Sequence, residues 1–244
     1  MVSERETKKS LLDGWNSAPN LVTYARILLV VVFIVLLLMA GDHPTASMVS
    51  FDGAARIPAP APDDHVALRW ASCVVFLVAA STDKLDGWLA RRTNAVTELG
   101  KLMDPIADKL LVLVALITLS AFGEVAWWIT ILFLVREIGI TAMRFMVIDT
   151  GGKVIAAAWP GKLKTLFQSI ALTMLLAPVW ALGVSDANPE GLPVALVHGY
   201  YVLAMAFLLV ALVLCWYSGV EYVAKTVKAV RSASASPSDA PKEA

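Results

Sequence analysis

Six long apolar runs divide this 244-residue chain, at about 21–40, 66–90, 102–122, 126–148, 163–184 and 194–218. Each is long enough to cross a hydrocarbon core roughly 30 Å thick, which takes about 20 helical residues. The pattern predicts an all-α polytopic membrane protein with six transmembrane helices. The polar interruptions differ in character. The one at 41–64 carries Pro44, Pro58, Pro60 and Pro62 and reads as an extended, solvated connector. The C-terminal end, rich in Ser, Ala and Pro, has too few apolar residues to form a core. The expected division is an N-terminal segment 1–20, a membrane domain 21–225 and a disordered tail 226–244.

Charge orients the helices. Arg5, Lys8 and Lys9 precede the first run, and Arg91, Arg92 and Lys101 join the second to the third. Lys153, Lys162 and Lys164 lie between the fourth and fifth, and Lys225, Lys228 and Arg231 follow the sixth. The alternate connections hold Arg56 and Arg69 in the first, and no Lys or Arg near Gly123 or at 186–193. Basic residues accumulate on the cytoplasmic side, so both termini are expected there.

Composition narrows the class further. At 58% hydrophobic and 16% charged, the chain is too apolar for an ordinary soluble domain, and the lipid bilayer is its expected surrounding. A net charge of zero gives no chain-wide attraction to nucleic acid, which is excluded as a partner. The first apolar run is followed by no small-residue cleavage site and reads as a retained span. Cys73 and Cys215 lie inside apolar runs without Cys-x-x-Cys spacing, which suits packing rather than zinc or a disulfide.

The chemistry concentrates between Asp83 and Asp108. There Asp-Lys-Leu-Asp-Gly-Trp-Leu-Ala-Arg is followed by eight residues and then Gly-Lys-Leu-Met-Asp-Pro-Ile-Ala-Asp. If the second helix continues through Arg91, Asp83, Asp86, Ala90 and Arg91 fall near one face; Asp104 and Asp108 share a face of the third. A short connection lets the two acidic faces converge. An ionised carboxylate near hydrocarbon costs roughly 2.5–3.5 kcal/mol, so four together require positive charge. No nearby base matches them in number. One or two Mg²⁺ or Mn²⁺ ions do, with two the expectation, and such hard cations bridge readily to substrate phosphates. Gly87 and Ala90 leave the helix surface open to a planar base or sugar, and Arg91 supplies a fork of donors for phosphate oxygens. The set suits a nucleoside diphosphate better than a bare ion. A cation transporter would place its acids near mid-membrane or along a path across it, whereas these gather with the basic residues at one face.

The same stretch resembles the signature of the CDP-alcohol phosphotransferase family at every fixed position: Asp83, Asp86, Gly87, Ala90, Arg91, Gly100, Asp104 and Asp108. The resemblance implies six spans, cytoplasmic termini and a homodimer. It implies that Asp83, Asp86 and Asp104, with Asp108 as a further ligand, hold metal against a CDP diphosphate. Asp83, Gly87, Ala90, Arg91 and Gly100 would bind CDP, and CMP would leave. Asp108 is also implied as the general base. A carboxylate bound to metal is a weaker base, so the two roles make opposing demands.

Three further stretches resemble bacterial phosphatidylglycerophosphate synthases. They are Pro19-Asn20-Leu21 with Thr23 and Arg26, Arg136-Glu137 through Arg144, and Gly161-Lys162-Leu163-Lys164-Thr165. This adds Asn20 to the implied CDP site. It also implies CDP-diacylglycerol as donor, glycerol 3-phosphate as acceptor, and an inner (plasma) membrane enzyme whose site faces the cytoplasm. The residues support a phosphorylated acceptor independently. Arg136 lies inside an apolar run and needs an anionic partner. Glu137, adjacent in sequence, is expected to point elsewhere, leaving a motif aspartate or a substrate phosphate. Lys162 and Lys164 sit at the start of the fifth helix, where the N-terminus itself favours anions. Arg136, Arg144, Lys162 and Lys164 are therefore the expected acceptor-phosphate residues. A myo-inositol phosphate, serine or phosphatidylglycerol is the alternative acceptor.

Overall fold

A computed structural model describes the backbone of residues 18–41, 65–93, 98–149, 159–183 and 190–234. Among these residues the chain is all-helical. The helices are α1 (Ala18–Ala40), α2 (Val66–Thr93), α3 (Glu98–Ala121), α4 (Trp127–Asp149), α5 (Trp159–Leu176) and α6 (Val194–Ser234). A 3-10 turn (Val179–Leu182) and a lone bridge between Gly183 and Leu192 connect α5 to α6. Among the described residues, Thr23–Ala40 and Val194–Lys228 are long and apolar enough to cross a membrane, and Val66–Thr82 and Lys109–Ala121 are shorter apolar helices.

Two helix ends depart most from the expected ones. α5 stops at Leu176 instead of reaching 184 because Pro178 has no N–H to donate and disfavours helical geometry in the residue before it. α6 instead runs on to Ser234, so residues 226–234, expected in a disordered tail, are helical. Lys225 pairs with Glu221 one turn earlier at 2.5 Å, the favourable order for such a pair. Residues 235–244 lie outside the described residues.

The α3–α4 turn is closed by its own backbone. Gly123 takes φ +76°, Gly123 N–H donates to Ser120 C=O at 3.0 Å, and Glu124 N–H donates to Leu119 C=O at 2.8 Å. This pair of bonds satisfies the last carbonyls of α3, and only a residue without Cβ adopts that φ cheaply. The turn delivers Glu124 to Arg69, which lies in the first turn of α2 rather than in the preceding connection. Their side chains meet at 2.5 Å with 1% and 0% of their surfaces exposed. Arg69 also donates from Nε to the carbonyl of Leu176 at 3.2 Å, capping the end of α5.

α1 packs along α2 and α5 along α6, while α2 and α3 both contact α5, and α4 bridges α3 and α6. Phe33 and Phe76 meet at 5.6 Å between ring centroids in the α1–α2 seam. Leu116, Phe133, Leu172 and Tyr201 are fully buried among the other helices. The exterior is apolar: Leu28, Val35, Ile131, Ile138, Val213 and Val220 are all exposed. Arg26, Arg69, Glu124, Glu137 and Lys164 are buried instead. Water would favour the reverse; lipid favours charges turned toward protein. Trp70, Trp127, Trp128, Trp159 and Trp216 are exposed, as residues of an interfacial belt are.

Candidate active site

A cavity of about 280 Å³ opens where five helices converge. α1 contributes Arg26, α2 Ala79 and Ala80, α3 Lys109, α4 Glu137, and α5 Lys164, Thr165, Gln168 and Ser169. Two alanines on α2 leave the room. Among the described residues, Arg26, Lys109 and Lys164 bring positive charge to its wall and Glu137 negative. Arg26, Gln168, Glu137 and Lys164 are all buried, where charge is costly unless it is paired and hydrogen-bonded.

Glu137 ties the cations together. Its Oε1 accepts from Arg136 Nη1 at 2.9 Å and from Lys164 Nζ. Its Oε2 lies 3.8 Å from Lys109 Nζ. Lys109 also donates to the hydroxyl of Thr141, one turn along α4, and that hydroxyl donates to the Glu137 carbonyl at 2.6 Å.

The motif residues adjoin this cavity along the backbone. Asp83 and Asp86 belong to α2, and Asp83 is three residues past Ala80; Asp104 and Asp108 belong to α3, and Asp108 immediately precedes Lys109. Gly87, Ala90 and Arg91 continue α2, Gly100 lies in the first turn of α3, and Asn20 in the first turn of α1. The side chains of Asn20, Asp83, Asp86, Arg91, Asp104, Asp108 and Arg144 lie outside the described residues.

The acceptor residues divide. Lys164 lines the cavity, and Lys162 lines an adjoining groove between α2 and α5 that shares Ala80, Thr165 and Ser169 with it. The structure does not bring Arg136 to the cavity. Its guanidinium donates to the Cys215 carbonyl at 2.9 Å, to Ser218 Oγ at 2.7 Å and to Glu137, and it lines an apolar groove between α4 and α6. The expectation that Glu137 points elsewhere is thus corrected. Neighbours on a helix diverge at Cβ, but two long side chains bend toward each other when both are drawn into protein and away from lipid.

Sequence reasoning missed Lys109 and the hub role of Glu137. Lys109 carried a signal, since it directly follows the last motif aspartate inside an apolar run. Glu137 carried one too, as a buried acid one helix away from Lys164. Cys73 and Cys215 are buried and unbridged, in keeping with packing roles.

Helices with buried charge, apolar exteriors and a cation-lined cavity beside a motif of eight fixed positions, four of them aspartates, define the class. Residues 16–217 match the CDP-alcohol phosphatidyltransferase family, and the chain belongs to that family. Its apolar helices and this membership together mark a membrane protein, in a family whose members generally depend on metal. Among its relatives is a protein of Mycobacterium tuberculosis named "Probable phosphatidylglycerophosphate synthase", 35% identical over 209 residues, 86% of this chain and 81% of the relative. A CDP-diacylglycerol–glycerol-3-phosphate 3-phosphatidyltransferase of Bacillus subtilis is 35% identical over 88% of this chain and 97% of its own length. The protein of that name from Escherichia coli strain K12 is 40% identical over 111 residues, 44% of this chain and 60% of the relative.

Proposed function

We propose that this enzyme transfers the phosphatidyl group from CDP-diacylglycerol to the primary hydroxyl of glycerol 3-phosphate, giving phosphatidylglycerophosphate and CMP in phospholipid synthesis. The observation that carries the reading is the cavity in which Arg26, Lys109 and Lys164 meet, one residue from Asp108 and one turn from Asp83. An acceptor bearing a phosphate offers those cations charged oxygens to bind, whereas serine brings no phosphate. The names carried by the relatives support the same substrates.

Asp83, Asp86, Asp104 and Asp108 are a donor set suited to Mg²⁺ or Mn²⁺, hard cations that take carboxylate oxygen. When bound, such ions neutralise charge on the diphosphate and on departing CMP. Gly87, Ala90, Gly100 and Asn20 make room for and orient the cytidine, and Arg91 holds the diphosphate. Lys164 and Lys109 grip the acceptor phosphate, with Lys162 in the adjoining groove, Arg144 as a further phosphate-binding residue and Arg136 bracing Glu137 from behind. Asp108 accepts the proton of the attacking hydroxyl, whose oxygen forms a bond to the lipid-side phosphorus as the bond to CMP breaks.

Six spans with both termini cytoplasmic, a membrane domain at 21–225, a homodimer and an inner-membrane site facing the cytoplasm complete the reading. The distribution of Lys and Arg supports the orientation. The test is CMP release by purified protein supplied with CDP-diacylglycerol, Mg²⁺ and separate acceptors. Glycerol 3-phosphate should give product; no CMP with any acceptor would sink the enzyme reading, and product with inositol phosphate alone would move the acceptor. Asp108→Asn should lower turnover by roughly 10²–10⁴-fold, the usual worth of a general base, while leaving the thermal midpoint in place. Near-normal turnover would remove Asp108 from its role.

A further inference from the structure

We propose that Glu137 is a positioning residue that holds Lys109 and Lys164 in the geometry that receives the acceptor's phosphate. The proposal rests on the reading of the cavity as the acceptor site. A carboxylate inside a pocket for an anion opposes binding by simple Coulomb repulsion, so its presence calls for a compensating gain. The contacts supply one. Glu137 Oε1 accepts from Lys164, Oε2 faces Lys109 at 3.8 Å, and both lysines line the cavity. The third cation on Glu137, Arg136, faces away and is fastened to α6 through Ser218 and the Cys215 carbonyl. Glu137 therefore links two cavity cations to a fixed third.

Lysine side chains carry about 2 kcal/mol of rotamer entropy each, which an acceptor arriving at unanchored lysines would have to remove on binding. With Glu137 and Thr141 clasping them, the ammonium groups stand in place beforehand, and orientation of the acceptor hydroxyl follows. Neutralisation alone, needed only so that the bundle folds, would not require one carboxylate to reach both cavity lysines.

The two roles give opposite signs in one experiment. Full-length protein in detergent micelles is assayed for kcat and KM with glycerol 3-phosphate, with inorganic phosphate as a competing anion. Glu137→Gln keeps the shape and removes the charge. Its kcat should fall at least about tenfold while inorganic phosphate inhibits several-fold more tightly, since repulsion is gone but orientation is lost. Glu137→Asp keeps the charge and should leave phosphate inhibition near wild type with part of kcat retained. A Glu137→Gln enzyme with kcat within about twofold of wild type, or with phosphate inhibition unchanged or weaker, overturns the proposal. If Glu137→Gln does not fold, Glu137→Asp decides: reduced kcat at unchanged phosphate inhibition supports it, and unchanged kcat overturns it. Wild-type protein that uses no phosphorylated acceptor would sink the preceding reading of the cavity instead.

Discussion

Two buried charge clusters sit toward opposite ends of this bundle, and they are built differently. Near the start of α2, Arg69 meets Glu124 one to one, and its Nε and Nη2 also reach carbonyls at the end of α5. Tyr201 closes the same region, donating to the Ala177 carbonyl at 3.0 Å. Around Glu137, one carboxylate serves Lys109, Arg136 and Lys164, with Arg26 across a cavity of about 280 Å³. The first cluster pairs one cation with one carboxylate. The second gathers several cations on one carboxylate and borders a cavity. Charge placed in an apolar surrounding for structure is matched in place, whereas cations that line a cavity can also meet a ligand.

The contrast breaks most visibly at Arg69. Replacing it with Met removes the guanidinium from a Glu124 that is 2% exposed, and leaves the last carbonyls of α5 without those donors. The expected loss of stability is about 3–5 kcal/mol, the cost of removing one member of a buried ion pair. Changing Glu124 to Leu in the same protein should recover much of it. Thermal midpoints in detergent check both, and acceptor KM in whatever protein folds should be unchanged. A specific rise in KM without destabilisation would show that this cluster serves the reaction.

Lys164→Met tests the other side. Arg136 and Lys109 remain near Glu137, so the carboxylate keeps cations and the midpoint should move little. Loss of a charged hydrogen bond to the acceptor is worth about 1.5–3 kcal/mol, or roughly 10–150-fold in kcat/KM for glycerol 3-phosphate. CMP release across acceptor concentrations reads it. Equal losses of stability and activity would make Lys164 a counterpart of Arg69 and erase the distinction.

How far each cluster was legible in the sequence follows from its range. The motif from Asp83 to Asp108 occupies two consecutive helices, so spacing alone placed its residues on α2 and α3. Six apolar runs likewise marked six helices, and Pro178 explains where the fifth ends early. Neither ion cluster could be read this way. Arg69 and Glu124 are 55 residues apart, and Lys164 and Glu137 are 27 apart. Their pairing depends on which helices pack, which periodicity does not encode. Arg136 shows the same limit: its charge inside an apolar run announced a partner, but only packing against α6 selected Ser218 and the Cys215 carbonyl.

The smallest expected effect isolates that last contact. Gly219 lies on α6 where Arg136 crosses it, and a Cβ built there would stand 3.3 Å from Arg136 Nε and 3.5 Å from its Cγ. In an open helix, Gly→Ala stabilises by roughly 0.5–1 kcal/mol. Here the neighbour must yield a few tenths of an ångström, and Arg136 is pinned at Nε, Nη1 and Nη2 by Cys215, Glu137 and Ser218. Nε is itself the donor that would be displaced. Gly219→Ala should therefore cancel the helix gain and cost up to about 1 kcal/mol net, with kcat falling only a few-fold as Glu137 shifts with its brace. A raised thermal midpoint with unchanged kcat would mean that Arg136 is loosely held, and that the open cluster does not draw its rigidity from α6.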